Sequence, residues 1–140
     1  MKRITAIALF TLASILGAGQ ALAQSDEVRA TVPFDFTVGN KLLPAGNYSI
    51  TSVSNNGIEI RNREKHVAVL ALAFPDSNQS ENGGKLVFDK YAGQYFLREI
   101  LCESSGAMNV NLPSTKWEKR ARTEEASIPN DGGQVLVATK

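Results

Sequence analysis

The sequence predicts a mainly β protein, an antiparallel β-sandwich or partly open β-barrel of about seven or eight strands with one C-terminal α-helix. Three observations predict it. Apolar residues recur at period two in several short runs, turn residues punctuate those runs, and a single stretch near the end switches to helical signals.

The first segment is not part of that domain. Met1-Lys2-Arg3 is positive, Ile4 to Leu16 is apolar apart from Thr5, Thr11 and Ser14, and Ala21-Leu22-Ala23 is a small-x-small site before polar Gln24. This three-part pattern predicts a signal peptide over 1–23 and a single β-rich domain over 24–140, secreted or periplasmic. The apolar run falls short of the roughly 20 residues that span a bilayer, so no transmembrane segment is expected after cleavage.

Residues 28–38 alternate, with Val28, Ala30, Val32, Phe34, Phe36 and Val38 apolar, which predicts a strand with one buried face and Asp35 and Thr37 pointing outward. Pro33 cannot donate to a ladder and marks an edge, a bulge or a break between two shorter strands. Leu43-Pro44-Ala45-Gly46 reads as a turn and Tyr48 to Val53 as the next strand. Asn55-Asn56-Gly57 predicts a type I′ hairpin into Ile58-Glu59-Ile60-Arg61. His66 to Phe74 is apolar at both parities, which predicts a central strand covered on both faces. Pro75 to Gly84 reads as a loop.

Lys85 to Tyr91 and Gln94 to Cys102 form a second hairpin around Ala92-Gly93, and Ser104 to Asn111 is a polar loop. Thr115 and Glu118 make a capping box for a helix over about 114–125, and a closing strand follows at about 134–139. The helix is expected to lay Trp117 on the sheet and to solvate Lys116, Lys119, Arg120 and Arg122, the alternative being contact with a membrane surface or a glycan.

Composition narrows the function classes. Removing residues 1–23 takes Lys2 and Arg3 from 15 basic residues and leaves 13 against 14 acidic, a formal charge of −1. That balance points to no nucleic-acid partner, since phosphate backbones call for a basic excess. His66 is the only histidine and Cys102 the only thiol, so a zinc site of nitrogen and sulfur ligands cannot be assembled from one chain. Asp76-Ser77-Asn78 opens like a calcium loop but lacks the later glycine and glutamate. No catalytic residue, no metal ligand and no cofactor is assigned. Gly-x-Ser-x-Gly and phosphate-loop spacings are missing, and no pair among the 14 acids is singled out as a glycosidase pair.

Two features remain as candidate contacts. Tyr91 and Tyr95 flank the Ala92-Gly93 tip and are the candidate ligand-binding residues, because exposed aromatics there can stack on a sugar ring or form an interface. The ordinary alternative is packing at the end of the barrel. Cys102 reads as a small buried hydrophobe, or as the thiol of an intermolecular disulfide.

The runs Val32-Pro33-Phe34-Asp35-Phe36-Thr37-Val38, Leu43-Pro44-Ala45-Gly46-Asn47-Tyr48-Ser49-Ile50, Lys85 to Tyr91 and Gln94-Tyr95-Phe96-Leu97 resemble a group of small secreted proteins of soil acidobacteria. That resemblance covers most of residues 28–125 and implies a signal peptide, a β-rich domain and a charged C-terminal segment. The Leu-Pro-Ala-Gly-x-Tyr element is also similar to turns in immunoglobulin-like and transthyretin-like sandwiches. The expectation is a secreted or envelope non-catalytic protein acting by binding or structural association, its partner an envelope protein or a glycan. The alternatives are a small carboxylate-dependent hydrolase and an assembly subunit that forms a homodimer through Cys102 or through an edge strand, with the 28–38 segment as that edge.

Overall fold

A computed structural model describes residues 27–78, 80, 82–103, 108–127 and 132–140, so the expected signal peptide lies outside the described residues. The strands are β1 (Glu27–Val32), β2 (Phe36–Val38), β3 (Lys41–Leu43), β4 (Gly46–Ser54), β5 (Gly57–Asn62), β6 (Val67–Leu72), β7 (Phe74–Pro75), β8 (Lys85–Tyr91), β9 (Gln94–Leu101) and β10 (Val110–Asn111). Helix α1 (Lys116–Glu125) and strand β11 (Gly133–Ala138) complete the chain. The architecture is the mainly β one expected, two sheets curled into a half-barrel with one helix near the C-terminus.

The first sheet is antiparallel in the order β1-β4-β5-β6, and the second runs β11-β8-β9-β10-β7 with β2 and β3 attached beside β9. Most pairings are antiparallel, but β2 meets β9 in parallel at Thr37 and Phe96. The sheets join at one side, where Ala30 bridges Thr139 and the Lys140 N–H donates to the Arg29 carbonyl at 2.8 Å.

The apolar alternation of the sequence becomes the core between the sheets. Val28, Ala30, Val32, Tyr48, Ile50, Ile58 and Ile60 come from the first sheet and Phe36, Val38, Leu43, Leu86, Phe88, Leu97 and Ile100 from the second. Phe36 meets Tyr48 and Phe88 edge to face at ring distances of 5.1 and 5.3 Å.

Several local expectations change. Of the three readings of Pro33 the break holds, so the single strand expected over 28–38 is two: the chain leaves the first sheet after Val32 and enters the second at Phe36. Thr37 is buried, not outward, because β2 lies inside the second sheet with β3 and β9 beside it and is covered on both faces. The β4–β5 hairpin turns at Asn55-Asn56, yet none of Asn55, Asn56 and Gly57 has a positive φ, and a bulge between Ser52 and Ser54 absorbs the register shift. The second hairpin does have the type I′ signature, with Ala92 at φ 49° and Gly93 at φ 74°.

Helix α1 starts where the capping box predicts, with the Thr115 hydroxyl accepting the Glu118 N–H at 3.3 Å. Its orientation differs from expectation: Glu118 and Ala121 face inward, and Trp117 is 51% exposed. The cause is Arg98 on β9. Its guanidinium donates to Asp89 at 2.9 Å, to the Leu112 carbonyl and the Ser114 hydroxyl at 3.0 Å, and to the Glu118 carboxylate. A half-buried guanidinium needs such partners. Turning Glu118 toward it carries the neighbouring Trp117 outward.

Candidate functional site

Strand β6 is the largest departure from the sequence reading. It pairs with β5 alone, through the register Gly57↔Leu72, Glu59↔Leu70 and Arg61↔Ala68, and its other side carries no strand among the described residues. An uncharged strand was expected to be central because both of its parities are apolar. In the structure one parity, Val67, Val69 and Ala71, leans on the core, and the other, Ala68, Leu70 and Leu72, faces solvent.

The ladder fixes which backbone groups are open. The Ala73 N–H donates to the Asn56 carbonyl at 3.2 Å, so that pair is a hydrogen-bonded one. Hydrogen-bonded and non-hydrogen-bonded pairs alternate in an antiparallel ladder. Counting along the register, Ala71, Val69 and Val67 direct their N–H and C=O groups to β5. Ala68, Leu70 and Leu72 direct theirs away from it. The residues with open backbone are therefore the same ones that expose apolar side chains, Leu70 at 71% and Leu72 at 63%.

Two other features shape this edge. A groove of about 310 Å³ is lined by Leu70, Leu72, Gly39, Asn40, Leu112 and Pro113. The Lys41 ammonium on β3 reaches the Ala68 carbonyl at 3.1 Å and occupies one of the open acceptors. A lysine on an exposed edge is a common guard against unwanted pairing. Strand β1, the edge expected from the sequence, is covered in part by the Ala30–Thr139 bridge.

The residues singled out in the sequence lie elsewhere. Tyr95 is half-buried and stacks on Phe34, ring centroids 4.0 Å apart and planes 20° from parallel. Tyr91 is half-buried too, tilted against Phe96 with the Arg122 guanidinium 5.9 Å over its ring. Both rings thus have intramolecular partners. His66 is exposed in the β5–β6 turn at φ 52°, and the half-buried Cys102 thiol donates to the Met108 carbonyl at 3.6 Å.

Among the carboxylates, Glu99 is held above its usual range, first by burial and then by repulsion from Asp76 and Asp89. Asp89 is already bound to Arg98. Glu27 is shifted the other way, chiefly by the hydrogen bond from Arg29. Among the described residues, no three His, Cys, Asp or Glu side chains are grouped to hold a metal, and no helix is long and apolar enough to cross a membrane.

No known protein family, curated protein or solved structure matches this chain. The reading of function therefore rests on its own geometry. Sequence reasoning missed the exposure of Leu70 and Leu72 although a signal was present. A strand with no charge at either parity fits an uncovered edge as well as it fits a buried centre.

Proposed function

We propose that this is a secreted or periplasmic, non-catalytic protein that works by structural association, and that the association runs along β6, where a second copy adds its own β6 antiparallel. The observation that carries this reading is the open backbone of Ala68, Leu70 and Leu72 coinciding with their exposed apolar side chains.

A second copy suits the edge on two counts. A two-fold axis through Leu70 sets Leu70 against its counterpart and Ala68 against Leu72, so every open backbone group meets a complementary one. Val67 to Leu72 carry no charge, so no like charges are brought together. The acceptor held by Lys41 must be released for the outer pairs to close. A strand-to-strand contact falls short of the roughly 800 Å² per partner of a standard interface, so the dimer is weak and concentration-dependent.

Sedimentation velocity over a concentration series tests this directly. The wild-type sedimentation coefficient is expected to climb with concentration, and Leu70→Lys is expected to hold the protein monomeric. The substitution should change stability by less than about 0.5 kcal/mol, since the side chain is solvent-facing. A wild type that stays monomeric throughout, or a Leu70→Lys variant that associates as well as wild type, overturns the proposal.

A further inference from the structure

Trp117 is the one tryptophan of the chain, and it is half exposed. The buried side of α1 is supplied by Glu118 and Ala121, and the Arg98 cluster holds that side inward. Tryptophan buries a large apolar area when it packs in a core. Half left outside, its indole presents apolar aromatic surface to solvent.

Trp117 lines a cleft of about 190 Å³ together with Arg120, Ala121 and Glu124 of α1 and Gln94 at the start of β9. On the helix, positions 117, 120, 121 and 124 share one face, by the three- and four-residue spacing of helical neighbours. Gln94 comes from the tip of the β8–β9 hairpin, directly after Gly93, so two separate elements meet here. The cleft thus combines an aromatic ring with an amide, a guanidinium and a carboxylate, the last three all exposed.

This combination fits one ligand chemistry well. A pyranose ring has a C–H face that lies flat on an aromatic ring and a rim of hydroxyls that both donate and accept. Gln94 supplies a donor and an acceptor, Arg120 supplies donors only, and Glu124 supplies acceptors only. The opposite charges of Arg120 and Glu124 offset each other, which favours a neutral sugar over a polyanion. The cleft is smaller than the 300 to 1,000 Å³ of sites for drug-sized ligands, which leaves room for about one ring.

We infer that Trp117, Gln94, Arg120 and Glu124 form a binding site for a neutral hexopyranose unit of a glycan chain. The site shares no residue with β6 and stands whether or not the protein dimerises there.

Because Trp117 is the only tryptophan, its emission reports on this cleft alone. Titration of the purified protein with cellohexaose and with chitohexaose is expected to give a saturable shift or quench of that emission with at least one of them. The Arg120→Ala/Glu124→Ala double variant should bind at least about tenfold more weakly while melting as wild type does. Calorimetry should find no binding by Trp117→Ala, and Leu70→Lys should bind the sugar unchanged. Emission that neither oligosaccharide alters up to its solubility limit, or an affinity that survives the double substitution, overturns the inference.

Discussion

The corner Leu43 to Tyr48 and the strand Val67 to Leu72 are both short and mostly apolar, and the protein treats their backbones in opposite ways. At the corner, side chains reach in to satisfy main-chain groups that no ladder serves. Asp35 accepts the Ala45 N–H at 2.7 Å, Lys65 donates to the Ala45 carbonyl at 2.5 Å, and the buried Tyr48 hydroxyl donates to the Pro44 carbonyl at 2.5 Å. Burial also pushes the Tyr48 phenol above its ordinary range. Along β6, among the described residues, only the Ala68 carbonyl receives such help, from Lys41. The comparison teaches that satisfied main-chain groups are concentrated where the chain passes between β3 and β4, and open ones where the first sheet stops.

The largest effect that would break this contrast sits at Gly46. Its φ is +156°, and a Cβ there would lie 2.6 Å from the Asn62 side-chain nitrogen. Asn62 is fully buried and already accepts the Lys65 N–H at 3.0 Å, so it cannot move aside cheaply. Gly46→Ala is therefore expected to cost roughly 2 to 4 kcal/mol in a denaturant melt, from backbone strain and overpacking together. A near-neutral result would mean that the corner yields as easily as a surface loop.

A middle-sized effect is expected at Asp35. Its alternation with Phe34 and Phe36 suggests a carboxylate that merely faces water, yet it holds the Ala45 amide across the corner. Asp35→Ala should cost about 1 kcal/mol, the net worth of one hydrogen bond. A loss that is instead indistinguishable from zero would return Asp35 to the role of an ordinary solvated residue. The smallest effect on stability belongs to Leu70→Lys, whose consequence is confined to association. The three substitutions together rank corner over edge for folding and edge over corner for pairing.

Much of the frame was legible in the sequence because it is written in short-range signals. Period two placed β1 and β5, the Ala92-Gly93 pair placed the β8–β9 hairpin, and Thr115 with Glu118 placed the start of α1. What escaped depends on residues far apart in the chain. Trp117 points outward because Arg98, some twenty residues earlier, draws Glu118 in. Thr37 is buried because β9 and β3 flank a strand whose own pattern shows only alternation. The exposed status of Leu70 and Leu72 turns on a sheet face that nothing among the described residues covers, and the open backbone of β6 on the end of that sheet, neither of which a local pattern records. Tyr91 and Tyr95 were picked out by position at a hairpin tip, and their partners Arg122 and Phe34 come from distant segments. Gln94 lies between those two tyrosines and reaches the cleft at Trp117 instead.

The central claim, that the backbone of β6 is open and is closed by a second copy, is tested most directly by amide hydrogen exchange at two protein concentrations. The account predicts that the amides of Ala68, Leu70 and Leu72 exchange fast in dilute solution and slow markedly in concentrated solution, while those of Val67, Val69 and Ala71, bonded to β5, stay protected in both. Amides of Leu70 and Leu72 that are protected even at high dilution, or that remain fast at every concentration, would contradict it.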